Sequence, residues 1–235
     1  MQIKGLLIKE TKFNEQDKIV TLLTTQGQIQ AVVHGARSAR SKNLAAMQPF
    51  CYSEVTLAKG RGALRSVKES SVINNFYNLR LDVEKVALAA YIAEVLQHSA
   101  EGEDTESILR LALNTLYILE KSDDVAKIKA VFELRLCVHL GFTPVLWDCV
   151  HCGQEGDFLY FSCDGGIVCE ECPGGEPISK NTLEVMRYIV SSDENKIFSF
   201  RADVGEFCRV AEKYLIYNIG RKPSSLDYFK KCKEF

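Results

Sequence analysis

The hydrophobic pattern changes period once along the chain. Up to about residue 75, apolar and polar residues alternate in short runs; beyond residue 80, apolar positions recur every three or four residues. The first regime predicts strands over 2–8, 18–24, 28–33, 51–58 and 63–73. The stretch from Gln28 to Val33 alternates at period two, and Lys18 to Thr24 is rich in β-branched residues. Gln26-Gly27 and Lys59-Gly60-Arg61-Gly62 supply turns, the latter a hairpin. Five short strands point to a small closed barrel. The five-stranded OB-fold is the leading candidate and an open sandwich the runner-up.

The second regime predicts helices. Val83, Val86, Ala87, Ala90, Tyr91 and Leu96 share helical spacing over 82–97. A second helix starts at Asp104 or Thr105, either a good N-cap, and runs to Leu119. A third covers 124–140, with Gly141 and Pro144 to end it. None of the three is polar all round, so they are expected to pack together. Two more are predicted, from Ser179 or Lys180 to Val190 and from Val204 to Ile219, the last closed by Gly220 with Pro223 beyond.

Between the third and fourth helices the periodicity lapses and cysteines take over. They stand in Cys149-Val150-His151-Cys152-Gly153 and Cys169-Glu170-Glu171-Cys172-Pro173-Gly174-Gly175, a C-x2-C-x16-C-x2-C spacing. That spacing is a zinc signature. Two intervening residues let one tight turn aim both sulfurs at one ion, at about 2.3 Å. Gly153 and Gly174 suit such turns because glycine reaches positive φ without a steric penalty. Four thiolates leave no position for water or substrate, so the metal is expected to be structural Zn²⁺ held by Cys149, Cys152, Cys169 and Cys172. Cys163 and His151 lie in the same stretch as alternative ligands.

Composition narrows the class. Over 235 residues, 46% hydrophobic and 26% charged residues describe a globular protein. No apolar run approaches the roughly 20 residues that span a bilayer. Met1-Gln2-Ile3-Lys4-Gly5 lacks the pattern of a signal peptide. Nine cysteines, an odd count, argue against a disulfide framework and for a reducing cytoplasm, with no membrane partner.

The net charge of −2 conceals an asymmetry. Residues 1–80 hold 12 Lys+Arg against 5 Asp+Glu, whereas 149–177 hold 6 acidic residues and no basic one. A basic first third on an otherwise acidic chain suggests that one domain meets a polyanion. Two loops concentrate the charge: one with Arg37, Arg40 and Lys42, the other with Lys59, Arg61 and then Arg65. Arg and Lys suit phosphates because they donate charge-assisted hydrogen bonds and displace condensed counterions. Phe13, Tyr52, Phe76 and Tyr77 are either core residues or aromatics available for base stacking.

Enzyme signatures are absent: there is no G-x-x-x-x-G-K-[ST], H-E-x-x-H or G-x-S-x-G. His98 and His139 read as structural histidines, Asp123-Asp124 and Glu170-Glu171 as solvated charge. Cys51, Cys137 and Cys208 read as core. The tail with Arg221, Lys222, Lys230, Lys231 and Lys233 either extends the basic surface or frays.

Several segments in order carry a family resemblance. They are Gly5-Leu6-Leu7-Ile8-Lys9, Glu15-x-Asp17-Lys18-Ile19-Val20-Thr21-Leu22, Gly35-Ala36-Arg37, Leu44, Gln48-Pro49-Phe50, Phe132-Glu133-Leu134-Arg135-Leu136, Leu140-Gly141-Phe142, Pro144 and the four cysteines with Cys152-Gly153. Over essentially its whole length the chain resembles the RecO family of bacterial DNA repair and recombination mediators. The expected fold is α+β and multidomain: an OB-fold β-barrel (1–80), a helical domain in two parts (81–148 and 178–235), and an inserted four-cysteine zinc module (149–177).

The resemblance implies a non-enzymatic protein of the bacterial cytoplasm, associated with the nucleoid. It implies binding of single- and double-stranded DNA through the OB domain, strand annealing, pairing with RecR, and help in loading RecA. It also implies a contact between the C-terminal tail of single-stranded-DNA-binding protein (SSB) and a groove at Phe132, Arg135 and Leu136, with Lys127 or Lys129 as further cations. The alternative from the residues alone is a zinc-stabilised protein–protein adaptor whose basic domain is incidental.

Overall fold

The alternating stretches form the strands β1 (Gln2–Lys12), β2 (Lys18–Thr24), β3 (Gly27–Val33), β4 (Tyr52–Ala58) and β5 (Arg65–Asn74) of the computed structural model. It describes residues 1–36, 38, 41–58, 64–99 and 104–232. The strands close in the order β1-β2-β3-β5-β4, with β4 returning to pair with β1. All pairings are antiparallel except β3 with β5, where Ala31 and Val32 face Arg65 and Ser66 in parallel. This closed five-stranded barrel is OB-like and sets aside the open sandwich. Closure gives every strand a neighbour on both sides, although among the described residues β3 and β5 meet through only these two residue pairs. Alternate residues fill the interior: Leu7, Val20, Leu22, Ala31, Val33, Val55, Leu57 and Val67, plugged by Ala46 and Met47 from the β3–β4 connection. β1 runs four residues past its sequence-based limit, because its far end pairs with β2 through Lys12↔Lys18 after an irregularity between Leu7 and Lys9.

The helices are α1 (Val83–Ser99), α2 (Thr105–Lys121), α3 (Val125–His139), α4 (Lys180–Ser191), α5 (Gly205–Ile219) and α6 (Ser224–Cys232), with a short 3-10 turn at Tyr77–Leu81. A small sheet of β6 (Tyr160–Ser162), β7 (Gly166–Val168) and β8 (Glu176–Pro177) pairs in the order β7-β6-β8. Two compact units result: residues 1–121 with the segment from Pro223, and residues 122–222. Among the described residues, no helix is long and apolar enough to cross a membrane.

In the first unit α1 is buried on most of its surface, through Leu88, Tyr91, Ile92, Val95 and Leu96, and packs against β1, α2 and α6. Gln97 Nε2 donates to the Ile8 carbonyl at 2.9 Å, and Gln28 Nε2 to the Leu96 and Gln97 carbonyls at 3.1 Å, tying helix to barrel. α6 escapes a reading of periodicity because it is short and lysine-rich. It is neither frayed nor loose: Leu226 and Phe229 are buried, and Glu94 of α1 accepts bonds from its first turn.

The second unit is built on α3, which packs against α4 and α5, whereas α1 and α2, expected to share its bundle, belong to the first unit. Periodicity marks a helix's apolar face but not the element that covers it. Asp124 caps α3 by accepting from Lys127 N–H, so it is more than solvated charge; Ser179 caps α4 by accepting from Thr182 N–H. Within the unit Lys129, buried, bonds Glu133 at 2.6 Å and Glu212 at 2.8 Å. Burial alone would lower the Lys129 pKa, but the two carboxylates raise it, so the cation is retained. Cys51 and Cys137 are fully buried, whereas Cys208 is only half-buried, with its thiol on the Ala126 carbonyl.

Candidate metal centre and nucleic-acid interface

The turn after Cys149 is built by its own backbone. Gly153 N–H donates to the Cys149 carbonyl at 2.8 Å, and Cys149 N–H to Gln154 O at 2.8 Å. The facing turn is closed by Cys172 N–H on Cys169 O at 3.2 Å. Gly153 and Gly174 adopt φ of 74° and 97°, the left-handed values that the sequence spacing anticipates. Val150 N–H donates to Ile167 O on β7, docking the first turn on the small sheet.

These turns bring Cys149, Cys152, Cys169 and Cys172 together with all four sulfurs within 4.8 Å of one another. A tetrahedron of sulfurs around zinc at about 2.3 Å has an edge of about 3.8 Å. Cys152 Sγ and Cys169 Sγ are 3.7 Å apart. The geometry therefore fits a tetrathiolate metal site. Cys163 is outside this group, and no metal cluster among the described residues includes His151.

The environment of the site shifts two of the thiols in opposite directions. Burial raises Cys149, but N–H groups of Cys169, Cys152 and His151 outweigh it and bring the pKa to about 6. Cys172 is driven up to about 12, first by the Cys169 thiol, then by burial and the remaining sulfurs. Four thiolates at this spacing repel one another, and a divalent cation is what allows all four to ionise. The apolar support is small: Cys149, Val168 and Cys169, backed by Val150, Phe158 and Cys172.

Of the sequence-derived cations for DNA, Lys42 and Arg65 are exposed, and the Arg65 guanidinium lies against Met1 Sδ. Arg37, Arg40, Lys59 and Arg61 lie outside the described residues. The root of the first basic loop is described, and it shows residues that spacing did not single out. Asp17, in the β1–β2 turn, accepts from Gly35 N–H at 2.8 Å, Asn14 Nδ2 at 2.9 Å and His34 Nδ1 at 3.0 Å. These bonds, the Gly35 N–H foremost, hold the Asp17 pKa at about 2. Only the Asn14-x-x-Asp17 spacing, typical of a side-chain-closed turn, hinted at this in the sequence. Of the four aromatics, Phe76 is core, Tyr52 is half-buried, and Phe13 and Tyr77 are exposed.

The groove residues occupy different ground. Phe132 and Leu136 are fully buried in the second unit, so neither presents surface to a partner in this fold. Arg135 Nε bonds Glu194 at 2.6 Å, and its Nη1 caps α4 through the Ile189 and Val190 carbonyls at 3.1 Å. His139 shares Glu194 at 2.6 Å, which makes it a satisfied structural histidine. Lys127 bonds Phe200 O and lies over the Phe200 ring, and Lys129 is held by its two carboxylates.

Fold and site together define a class: an OB-like barrel protein with a second unit that carries a four-cysteine cluster able to bind a metal ion. Residues 1–76 match the family description "Recombination protein O N terminal" and residues 80–227 match "Recombination protein O C terminal". The chain belongs to the recombination protein O (RecO) family. It is 32% identical over 242 residues to "DNA repair protein RecO" of Acetivibrio thermocellus, covering 98% of this chain and 96% of that one. It is 30% identical to the protein of that name from Alkaliphilus metalliredigens, over 98% and 99% of the two chains. Identity to the Dehalococcoides mccartyi relative is 34%, over 84% and 81%. Among solved structures, an asparaginyl-tRNA synthetase of Entamoeba histolytica overlays 49% of this chain and 30% of its own, at 18% identity and a TM-score of 0.29, too little to define a shared fold.

Proposed function

We propose that this protein is a non-enzymatic DNA-binding mediator of recombination in DNA repair. The observation that carries the reading is a closed OB-like barrel, in a RecO-family chain, whose first 80 residues hold 12 Lys+Arg against 5 Asp+Glu. Arg37, Arg40, Lys42, Lys59, Arg61 and Arg65 contact phosphates of single- and double-stranded DNA, which suits their charge. The protein anneals complementary strands and, with RecR, helps load RecA onto DNA coated by SSB. The tail of that protein docks near Phe132, Arg135 and Leu136; because two of these are core, they shape the docking surface from beneath and do not touch the tail. Zn²⁺ at the four cysteines is structural, with residues 1–80 as the DNA-binding part and 149–177 as the zinc module. It acts in the bacterial cytoplasm, at the nucleoid.

The test is fluorescence anisotropy with labelled oligonucleotides, single- and double-stranded, across a salt series. Affinity is expected to fall linearly on logarithmic axes, with a slope of roughly −0.7 per phosphate contacted on single strands and −0.9 on duplex. Little sequence preference is expected. Undetectable binding, or binding indifferent to salt, overturns the reading.

A further inference from the structure

The β1–β2 turn and the start of the basic loop are one bonded piece. Asn14 Oδ1 accepts from the N–H of Gln16 at 3.0 Å and of Asp17 at 2.7 Å, and Phe13 N–H donates to Asp17 O at 3.2 Å. The Asp17 carboxylate then crosses to Gly35 N–H and His34. From Gly35 the backbone turns in steps: Ser38 N–H bonds Gly35 O at 3.0 Å, Ser41 N–H bonds Ser38 O at 2.9 Å, and Leu44 N–H bonds Ser41 O at 3.2 Å. The basic loop is thus held to the turn at its root.

At the head of that turn stands Phe13, 53% exposed, next in sequence to the exposed Lys12. It contributes nothing to the barrel core, whose members are accounted for by the strands and by Ala36, Ala46 and Met47. A large aromatic held out on a many-bonded turn next to an exposed lysine is the arrangement that single-strand binders use: a π face for a base and charge for its backbone.

We propose that Phe13 is a stacking platform for an unpaired nucleobase, with Asp17 as the residue that fixes its turn to Gly35 and His34. This rests on the DNA-binding reading above. In a duplex the base faces are covered by their neighbours, so Phe13 contributes to single-strand affinity and not to duplex affinity.

The experiment uses the full chain and its F13A and F13W variants, with labelled oligo(dT) and a labelled duplex in parallel. F13A is expected to lose roughly 5- to 100-fold in oligo(dT) affinity, with duplex affinity unchanged. F13W is expected to retain oligo(dT) affinity. Its added indole emission should be quenched on binding, over the wild-type background of Trp147, the chain's one tryptophan. Wild-type affinity of F13A for oligo(dT), equal losses on both DNAs, or no quenching in F13W overturns the proposal and leaves the DNA reading standing. If the wild type binds neither DNA, the reading itself falls and the stacking site with it.

Discussion

Replacing Glu94 is expected to release the C-terminal helix. The Glu94 carboxylate accepts from Ser224 N–H at 2.9 Å, Ser224 Oγ–H at 3.0 Å and Ser225 N–H at 2.8 Å, so it serves as an external cap for α6. Burial by itself would raise its pKa, but the Ser225 and Ser224 donors outweigh it and hold the value at about 2, against an ordinary 4.5. That difference corresponds to roughly 3 kcal/mol at neutral pH. Solvent screening of a half-buried group leaves about 2 kcal/mol. Glu94→Gln keeps the shape and removes the charge. Amide exchange in α6 of the full chain, followed by mass spectrometry, should accelerate about 30-fold at pH 7, while barrel amides are unaffected. Because the folded value lies below the ordinary one, the stabilisation is complete above about pH 5 and disappears as pH falls towards 2. The gap between wild type and variant should close over that window. Unchanged α6 exchange at pH 7, or a gap that persists at low pH, would refute the assignment of the carboxylate as the latch.

Two further outcomes follow from the second unit. Elemental analysis should find one Zn²⁺ per chain, lost from Cys149→Ser and Cys172→Ser. Chelation should expose 149–177 to protease with barrel exchange unchanged, because two of the three buried residues clustered at the site, Cys149 and Cys169, are themselves ligands. Arg135→Ala leaves the Glu194 carboxylate to His139 and removes the side-chain donor from two α4 carbonyls, and should cost roughly 2 kcal/mol in urea unfolding. Glu194→Gln should reproduce much of that loss if Arg135 is first a structural residue.

What the sequence determined by itself is what local physics decides. Period-two alternation placed five strands, and period 3.6 placed five helices, each to within a few residues; the cysteine spacing and the glycines after each pair named the metal site. These signals are local because backbone pairing and a two-residue turn each depend on neighbours along the chain.

What the tertiary structure alone decided is who meets whom. Barrel closure depends on β4 reaching β1, and on Ala31 and Val32 meeting Arg65 and Ser66 across the intervening chain. α6 is held as a helix by Glu94, 130 residues earlier in the chain, which caps it, and by packing with α1 and burial of Leu226 and Phe229. Phe132 and Leu136 were readable as apolar, but only packing against α4 and α5 put them wholly inside. The bond from Gly35 N–H to Asp17 exists only because the fold sets Gly35 beside it. Each of these is a contact between residues distant in sequence. Its energy depends on a geometry that no local pattern encodes.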